Sequence, residues 1–558
     1  QNGEEESASM RPLCILLLIA ILSSSASAFL TPSRLLTTRS TLLPRSSRSV
    51  LRQTNTRAQL WRVPVYWAGV FRDMAAAGNS AMGGRSSTMM SAGAAAAAPP
   101  VFKPTPSVPA WDALRGAAAG SATGAKLLAE RAEREKGEGP THNDNTLRLF
   151  GAKESDVRVI LYRDHAAWCP YCQKTWLLLE EKRIPYKIEK INMRSYGEKP
   201  DWFLAKVPRG LLPAVEIDGK VMTESIQIMQ TLDQMFPTDN PMVPYGDKAL
   251  IGMANELMGL ERELFGAWCS YVFQPGDRAK RSFESTMDRV DKALGATPGP
   301  WFLGGGYPTL VDMQYVSHVE RMLPSCLYWK GLRIRGSGRW PNVDKWFEAF
   351  EQRPTYVATK GDFYTHVTDI PPQYGPGQQV PEGVPFTAAI DGSGRAAEWT
   401  LPLPPLSEDS LEPVLPSWNP GDEGARHEAA LKISEGGEKV SRFACRVFGG
   451  EVGKWRVQGG GSRSALADPN AKSEPAFLED VSTALRHVCN SLIHGHDSKE
   501  VASALSSDLA DAPQARKDAV LECLDYLRLR VSVPRDMSYP AARQFRAHIQ
   551  FVMDKIRA

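Results

Sequence analysis

The 558-residue sequence has few cysteines, little net charge and no apolar run long enough to cross a membrane. Its eight cysteines are too few and too irregularly spaced for a disulfide scaffold, which indicates a compartment where thiols stay reduced. The formal net charge is only +3, so overall charge does not favour nucleic-acid binding. The apolar run Leu13–Leu22 is about half of the roughly 20 residues that a spanning helix needs, so no stable membrane span is expected.

Length and composition indicate several folded units of an ordinary soluble kind. Hydrophobic residues make up 42% of the chain and aromatic residues 9%, as is typical of globular proteins. Single domains usually span roughly 100 to 200 residues. A chain of 558 residues therefore predicts two or three folded units with disordered segments between them.

The first residues have the pattern of a secretory signal peptide. Arg11 precedes the apolar run Leu13–Leu22, and Ala26-Ser27-Ala28 forms a small-residue cleavage site. A signal peptide over residues 1–28 is therefore expected.

A basic stretch without acidic residues follows this signal. From Phe29 onward no acidic residue occurs before Asp73, while Arg, Ser and Thr are frequent, as in transit peptides. With the low-complexity stretch Ala75–Pro109, residues 29–110 are predicted to be a transit peptide and a disordered segment. The whole leader resembles the bipartite plastid leader of algae with complex plastids, which implies the chloroplast stroma. The alternative is a secreted protein with a disordered basic pro-segment.

A dithiol motif follows a predicted buried strand. Val157–Tyr162 is a mostly apolar, β-branched run, and Cys169-Pro170-Tyr171-Cys172 then opens a predicted helix. At a helix N-terminus, free backbone N–H groups and the helix dipole favour thiolate over thiol. Cys169 is therefore the predicted nucleophile. Cys172, one turn further in, is placed to resolve a mixed disulfide.

Three other interpretations of the cysteine pair remain open. A zinc site would need a second pair of ligands at metal spacing, and the sequence offers none, so no metal is expected. A structural disulfide is possible behind a signal peptide. A pair of inert core thiols is also possible, because free cysteine is often buried.

The motif and the residues after it resemble a known family. Cys-Pro-Tyr-Cys resembles the dithiol motif of glutaredoxins, and Lys199-Pro200-Asp201-Trp202-Phe203 with Val207–Val215 resembles the omega, lambda and dehydroascorbate-reductase-type glutathione transferases. The resemblance covers Val157–His366. It implies an α/β thioredoxin-like N-terminal half and an all-α C-terminal half of the glutathione-transferase type, with glutathione as co-substrate.

The same resemblance implies which residues bind the tripeptide. Pro213 should be the cis-proline that places the backbone of Leu212 against the cysteinyl part of glutathione. Glu224 should bind the α-amino group, and Ser225, at the start of a helix, the γ-glutamyl carboxylate. The alternative is that Thr223 or Ser225 merely caps this helix.

A basic residue after the second strand should bind the glycyl carboxylate. Arg194 is the candidate, and Arg209 is a second one. A solvated surface arginine is the alternative.

The remaining chain is predicted to be helical, with a Pro/Gly-rich break. Thr309 and Asp312 form a capping box in the transferase helical half. The groove beside it offers five possible wall residues, for which ordinary packing is the alternative: Trp268, Tyr271, Tyr315, His318 and Arg321. The predicted segments are 111–155 (linker with a possible helix at 112–133), 156–240 (thioredoxin-like), 245–370 (all-α transferase half), 371–420 (linker) and 421–558 (additional all-α domain).

The C-terminal domain has helical spacing but no chemistry-bearing motif. Helices are predicted at 425–448, 475–493, 512–529 and 539–556. With its Val533–Met537 segment, the chain resembles a poorly characterised plastid group of plants and algae. A protein partner or intramolecular cover are the two roles considered for this domain, and a homodimer is possible.

These patterns predict a glutathione-dependent thiol–disulfide oxidoreductase with Cys169 as nucleophile. Its partners would be glutathione and either an oxidised small molecule such as dehydroascorbate or a glutathionylated protein. The alternatives are a non-catalytic glutathione-binding or scaffolding module and a conjugating glutathione transferase.

Overall fold

The structure, a computed structural model, describes residues 99–193, 196–392, 399–407, 410–413, 415, 421–449, 471–509 and 512–558. These residues belong to one compact unit. The predicted signal peptide, the predicted transit segment up to residue 98 and Arg194 lie outside the described residues. Localisation to the plastid therefore stays a prediction.

Two helices precede the sheet and are bounded by short polar breaks. They are α1 (Trp111–Gly120) and α2 (Ala122–Glu135). Ser121 ends α1 and caps α2, because its side chain accepts a hydrogen bond from the backbone N–H of Gly124. The single helix predicted at 112–133 is thus two helices.

The sheet has the thioredoxin-like order with one added edge strand. Its strands lie in the order β1-β3-β2-β4-β5, and only β2 and β3 are parallel. The sequence predicts strands at Val157–Tyr162 and Tyr186–Asn192, and both are confirmed within two residues at each end, as β2 and β3. The bounds are β1 (Leu147–Arg148), β2 (Val159–Asp164), β3 (Tyr186–Ile191), β4 (Ala214–Ile217) and β5 (Lys220–Thr223).

Three helices pack with this sheet. They are α3 (Pro170–Glu181), α4 (Asp201–Lys206) and α5 (Ser225–Met235). The segment Glu216–Thr223 predicts a hairpin that turns at Asp218-Gly219. This hairpin is confirmed between β4 and β5, since Asp218 and Gly219 both have positive φ, as a two-residue type I′ turn requires. Strand β2 ends at Asp164 and helix α3 begins at Pro170, with a short loop between them. This connection places the dithiol motif at one edge of the sheet.

The transferase helical half is built around one central helix. Its helices are α6 (Lys248–Phe273), α7 (Asp277–Leu294), α8 (Leu310–Lys330), α9 (Pro341–Glu351), α10 (Pro354–Thr359) and α11 (Phe363–Tyr374). Almost every residue of α8 is buried. The predicted capping box is confirmed, with the Asp312 carboxylate accepting from the N–H of Thr309 at 2.8 Å. The predicted boundary at residue 370 falls inside α11.

The segment predicted as a Pro/Gly-rich linker is partly folded. It contains α12 (Val384–Ile390), and Trp399 and Glu412 are buried. The Glu412 carboxylate lies 3.2 Å from the Lys360 ammonium and accepts a hydrogen bond from the N–H of Phe363. This segment therefore packs on the transferase half.

The C-terminal unit has six helices in its described residues, two more than predicted. They are α13 (Gly421–Glu435), α14 (Gly437–Ala444), α15 (Leu478–His494), α16 (Lys499–Asp508), α17 (Gln514–Arg528) and α18 (Tyr539–Arg557). The predicted helix at 425–448 is interrupted at Gly436, and α16 lies in a stretch for which no helix was predicted. None of the described helices is long and apolar enough to cross a bilayer.

Helices α1 and α2 belong to the core of this C-terminal unit. Leu114 and Ala118 of α1 lie in one hydrophobic cluster with Leu485, Val520 and Ile549. The sequence had suggested that residues 111–155 are a linker. Residues 111–135 instead complete the core of the C-terminal unit.

A buried ion pair joins the C-terminal unit to the transferase half. Nη1 of Arg546 donates to Oδ2 of Asp362 at 2.8 Å, and both side chains are buried. The N–H of Val533 donates to Oγ1 of Thr365 at 3.0 Å. Both transferase residues lie at the start of α11, so this helix is the docking element.

Candidate active site

Cys169 lies at the point where the sheet leads into α3. It is the N-cap residue, and Pro170 occupies the first position of the helix, where its missing N–H costs no hydrogen bond. Cys169 is partly exposed, whereas Cys172 is buried within the helix. The other five described cysteines are also buried, and burial raises the pKa of one of them, Cys269, to about 12. This contrast favours a reactive Cys169 over an inert core thiol.

The two thiols of the motif have opposite acidities. The hydrogen bond that the Cys172 thiol donates lowers the pKa of Cys169, and the backbone N–H groups of Cys172 and Tyr171 act in the same direction. Burial raises the pKa of Cys172 well above its ordinary value, and its hydrogen bond to Cys169 raises it further. Cys169 is thus the more acidic thiol of the pair and Cys172 the less acidic one.

A buried carboxylate lies beside the two sulfurs. Oδ2 of Asp164, at the end of β2, accepts hydrogen bonds from the N–H of Trp168 at 2.7 Å and of Cys169 at 3.1 Å. A carboxylate oxygen of Asp164 and both sulfurs lie within 4.8 Å of one another. The negative charge of Asp164 opposes ionisation of either thiol. Sequence reasoning missed this residue.

These three side chains are also the one convergent group of metal-ligand type within the described ranges. A structural zinc site closes with four protein ligands. Asp164, Cys169 and Cys172 supply three, so the zinc interpretation still lacks a ligand among the residues that the structure describes.

Two lysines place positive charge near the dithiol. The charge of Lys199 interacts with both sulfurs, and burial lowers its own pKa. Lys174 is buried on α3, donates to Oε1 of Gln314 at 2.6 Å and has a pKa lowered by burial to about 8. Lys199 is the first residue of the Lys-Pro-Asp-Trp-Phe motif, which was the signal that could have identified it. Arg194 and Arg209 were predicted for a different role, binding the glycyl carboxylate, and that role stays a prediction.

The predicted glutathione-binding loop has the expected backbone. The Leu212–Pro213 peptide bond is cis, as predicted, and β4 begins at the next residue. No backbone hydrogen bond joins Leu212 to another residue in the described part of the chain. Its N–H and C=O are therefore available to an extended ligand.

The start of α5 is open for an anionic group. Glu224 is the N-cap residue, with the positive φ of 71°, and its side chain makes no capping hydrogen bond to the described first turn. The alternative that Thr223 or Ser225 caps the helix is thus not what the structure shows. Ser225 is buried at the first helical position, and Nη1 of Arg209 lies 3.9 Å from Oε1 of Glu224. Free N–H groups at such a terminus bind carboxylates.

The helical half holds the thiol loop in place. Arg321 of α8 donates one hydrogen bond to the carbonyl of Trp168 and another to Oε1 of Gln173 at 2.6 Å. Nε1 of Trp168 donates to Nδ1 of His366 at 3.1 Å, and Nε2 of His366 lies 3.0 Å from a carboxylate oxygen of Glu320. Trp168, the residue before Cys169, is therefore fixed by α8 and α11.

The five predicted wall residues are all buried. His318 contacts the Glu261 carboxylate at 2.6 Å, and Nε1 of Trp268 donates to Oγ of Ser325 at 2.9 Å. Tyr315 donates to the carbonyl of Leu257 at 2.7 Å. Packing within the helical half therefore accounts for Trp268, Tyr315 and His318, whereas Arg321 holds the loop before Cys169.

Known families and proteins match the same region. The model for the glutathione S-transferase N-terminal domain matches residues 168–235, and that for the glutathione S-transferase C-terminal domain matches residues 274–349. Glutathione S-transferase L1 of Arabidopsis thaliana is 30% identical over 199 residues, which cover 35% of this chain and 79% of that protein.

Two further relatives match to a similar extent. Protein IN2-1 homolog A of Oryza sativa subsp. japonica is 29% identical over 35% of this chain and 78% of its own length. Glutathione S-transferase DHAR2 of Arabidopsis thaliana is 26% identical over 34% of this chain and 84% of its own length. With its thioredoxin-like sheet, its helical half and a relative that is 30% identical over most of its length, the chain belongs to the glutathione S-transferase family, whose enzymes act on glutathione.

Proposed function

We propose that this protein is a glutathione-dependent thiol–disulfide oxidoreductase in which Cys169 is the nucleophile. The observation that carries the proposal is the environment of Cys169. Cys169 is a partly exposed residue at a helix N-terminus, and hydrogen bonds from Cys172 and Tyr171 lower the pKa of its thiol although burial opposes this shift. A thiol with these properties is nucleophilic near neutral pH.

In the first step the Cys169 thiolate attacks the glutathione sulfur of a mixed disulfide. A bond forms between Cys169 and glutathione, and the substrate leaves as a thiolate that takes a proton from solvent. A second glutathione, or Cys172, then attacks the Cys169–glutathione disulfide. With dehydroascorbate as oxidant, two glutathione molecules would supply two electrons and become glutathione disulfide.

The binding loop supports glutathione as the reductant. The backbone of Leu212 would pair with the cysteinyl part of glutathione, while Glu224 and Ser225 would hold its γ-glutamyl end at the start of α5. Lys199, whose charge acts on both sulfurs, would stabilise the Cys169 thiolate. The relative named DHAR2 is 26% identical to this chain over 194 residues.

The test is glutathione-dependent reduction of a small glutathione mixed disulfide and of dehydroascorbate by the full chain. Cys169→Ser should abolish turnover of both. Cys269→Ser is the matched control, because it removes a buried thiol on α6 outside the motif and should keep activity. Loss with Cys172→Ser as well would indicate a dithiol cycle, and retention would indicate a monothiol one. Absence of turnover by the intact protein on both substrates would refute the proposal.

A further inference from the structure

The dithiol branch of the proposed function requires a base inside the protein. Any role of Asp164 as that base rests on the proposed function. Once Cys169 carries glutathione, Cys172 must lose its proton before it can attack. Cys172 is only 1% exposed, so solvent does not reach its sulfur freely. A proton acceptor is therefore needed close to Cys172.

We infer that Asp164 accepts this proton. One of its carboxylate oxygens lies within 4.8 Å of the sulfurs of Cys172 and Cys169, a separation that one water molecule bridges. Its Oδ2 already accepts from the N–H groups of Trp168 and Cys169, which fixes the carboxylate beneath the motif. An ionised carboxylate has about four acceptor sites, so capacity remains for a further proton donor.

The other charged and titratable groups nearby are less suitable acceptors. Those that interact with Asp164 or with the sulfurs come from β2, the loop before Cys169, α3, the loop after β3, and α11: Arg163, His165, Tyr171, Lys174, Lys199, Asp369 and Tyr374. Burial raises the pKa of Tyr171 and Tyr374, so these phenols stay protonated and do not accept the proton. Arg163 and Lys199 are cations. Lys174 uses its ammonium to donate to Gln314.

His165 and Asp369 can accept a proton, but they are not placed to take one from Cys172. Each interacts electrostatically with Asp164, but neither is among the groups that act most strongly on Cys169 or Cys172, whereas Asp164 is. Asp164 is thus the acceptor that faces the resolving thiol.

The resolving step conserves protons and electrons within the site. The S–H proton of Cys172 passes to the Asp164 carboxylate, and the Cys172 thiolate attacks the Cys169 sulfur of the mixed disulfide. The Cys169–Cys172 bond forms while the bond from Cys169 to glutathione breaks. Glutathione leaves as a thiolate and takes up the proton that Asp164 holds, so no external oxidant or reductant is needed.

This role predicts opposite effects on the two thiols. In Asp164→Asn the amide oxygen still accepts from the two backbone N–H groups, so the loop is retained. Loss of the negative charge lowers the pKa of Cys169, and alkylation of Cys169 below that pKa becomes faster. Loss of the base slows formation of the intramolecular disulfide. A purely structural role of Asp164 would not produce slower disulfide formation together with faster alkylation.

The experiment follows one turnover of the reduced full chain after mixing with a small glutathione mixed disulfide. Acid quenching and mass spectrometry separate the glutathionylated protein from the intramolecular disulfide at pH values from mildly acidic to mildly alkaline. We expect Asp164→Asn to convert the glutathionylated protein into the intramolecular disulfide about 100-fold more slowly than the unaltered protein near neutral pH. The rate of this conversion in Asp164→Asn should rise roughly tenfold for each added pH unit. Asp369→Asn is the matched control and should convert at the rate of the unaltered protein.

Two outcomes would overturn the inference while leaving the proposed function intact. One is conversion by Asp164→Asn at the unaltered rate and pH dependence. The other is failure of Asp164→Asn to become glutathionylated while the unaltered protein does. If the unaltered protein itself is never glutathionylated at Cys169, the proposed function fails, and the role of Asp164 fails with it.

Discussion

Replacing Arg546 by leucine is expected to weaken the attachment of the C-terminal unit to the transferase half. Nη1 of Arg546 donates to the Asp362 carboxylate at 2.8 Å, and Nη2 donates to the carbonyl of Val531 at 2.8 Å. The guanidinium also lies 4.3 Å from the centre of the Tyr364 ring. Leucine fills part of this volume but supplies no donor and no charge.

The magnitude follows from the burial of the pair. The side chains of Arg546 and Asp362 are 2% and 0% exposed. Without Arg546, the Asp362 carboxylate would keep the N–H of Thr365 as a partner but no counter-charge within hydrogen-bonding distance among the described residues. Breaking a buried pair in this way costs about 3 to 5 kcal/mol. The loss should appear in the free energy of unfolding.

Urea unfolding monitored by tryptophan fluorescence is a suitable assay, because the Trp399 ring lies 5.4 Å from the Arg546 guanidinium. Arg158→Leu is the matched control, since Arg158 pairs with Asp218 at 2.5 Å but both side chains are nearly half exposed. An exposed pair of this kind contributes little to the free energy of unfolding, because solvent screens it. Asp362→Asn combined with Arg546→Leu should recover part of the loss, because no buried charge then remains unpaired. Equal effects of Arg546→Leu and Arg158→Leu would refute the reasoning.

Asp312→Ala should lower the free energy of unfolding by about 3 kcal/mol or more, because the donors of Thr309, Phe302 and Trp346 would lose a buried acceptor. Asp247→Ala removes an exposed cap of α6 and should lower the free energy of unfolding by about 1 kcal/mol in the same denaturation experiment. Equal losses for Asp247→Ala and Asp312→Ala would show that burial of the acceptor does not determine the loss. Burial raises the pKa of Asp369 to about 6, so the folded state binds this proton more tightly than the unfolded state. Its stabilising contribution is complete below about pH 4 and is lost as the pH rises through 6. Asp369→Asn should therefore raise stability at mildly alkaline pH by up to about 3 kcal/mol and remove this pH dependence, and an unchanged pH profile would exclude the effect.

Local patterns were sufficient to predict the transferase strands and the backbone of the binding loop. The β-branched run before the motif, the Asp218-Gly219 turn and Pro213 each determine their own conformation within a few residues. Helix α16 was missed because it buries only Val501, Leu505 and Asp508, too few positions for a clear periodic pattern.

The placement of Asp164 and Lys199 could not be predicted in the same way. Both belong to segments whose local sequence explains them as a strand end and a loop residue. Only the packing of β2 against β3, and of the following loop against α3, brings their charges to the two sulfurs. For the same reason the residues of α1 gave no indication that their partners lie more than 300 residues further along the chain.

The shared core of α1, α2 and the C-terminal helices has a consequence for how the chain is made. During synthesis α1 and α2 emerge before the transferase part, yet the helices against which they pack, α13 to α18, emerge after it. The transferase part is thus an insertion within another folding unit. It can complete its own core before α1 and α2 have partners to pack against. A fragment that begins after α2 would carry the C-terminal helices without the residues that close their apolar surface, and exposed surface of that kind promotes aggregation.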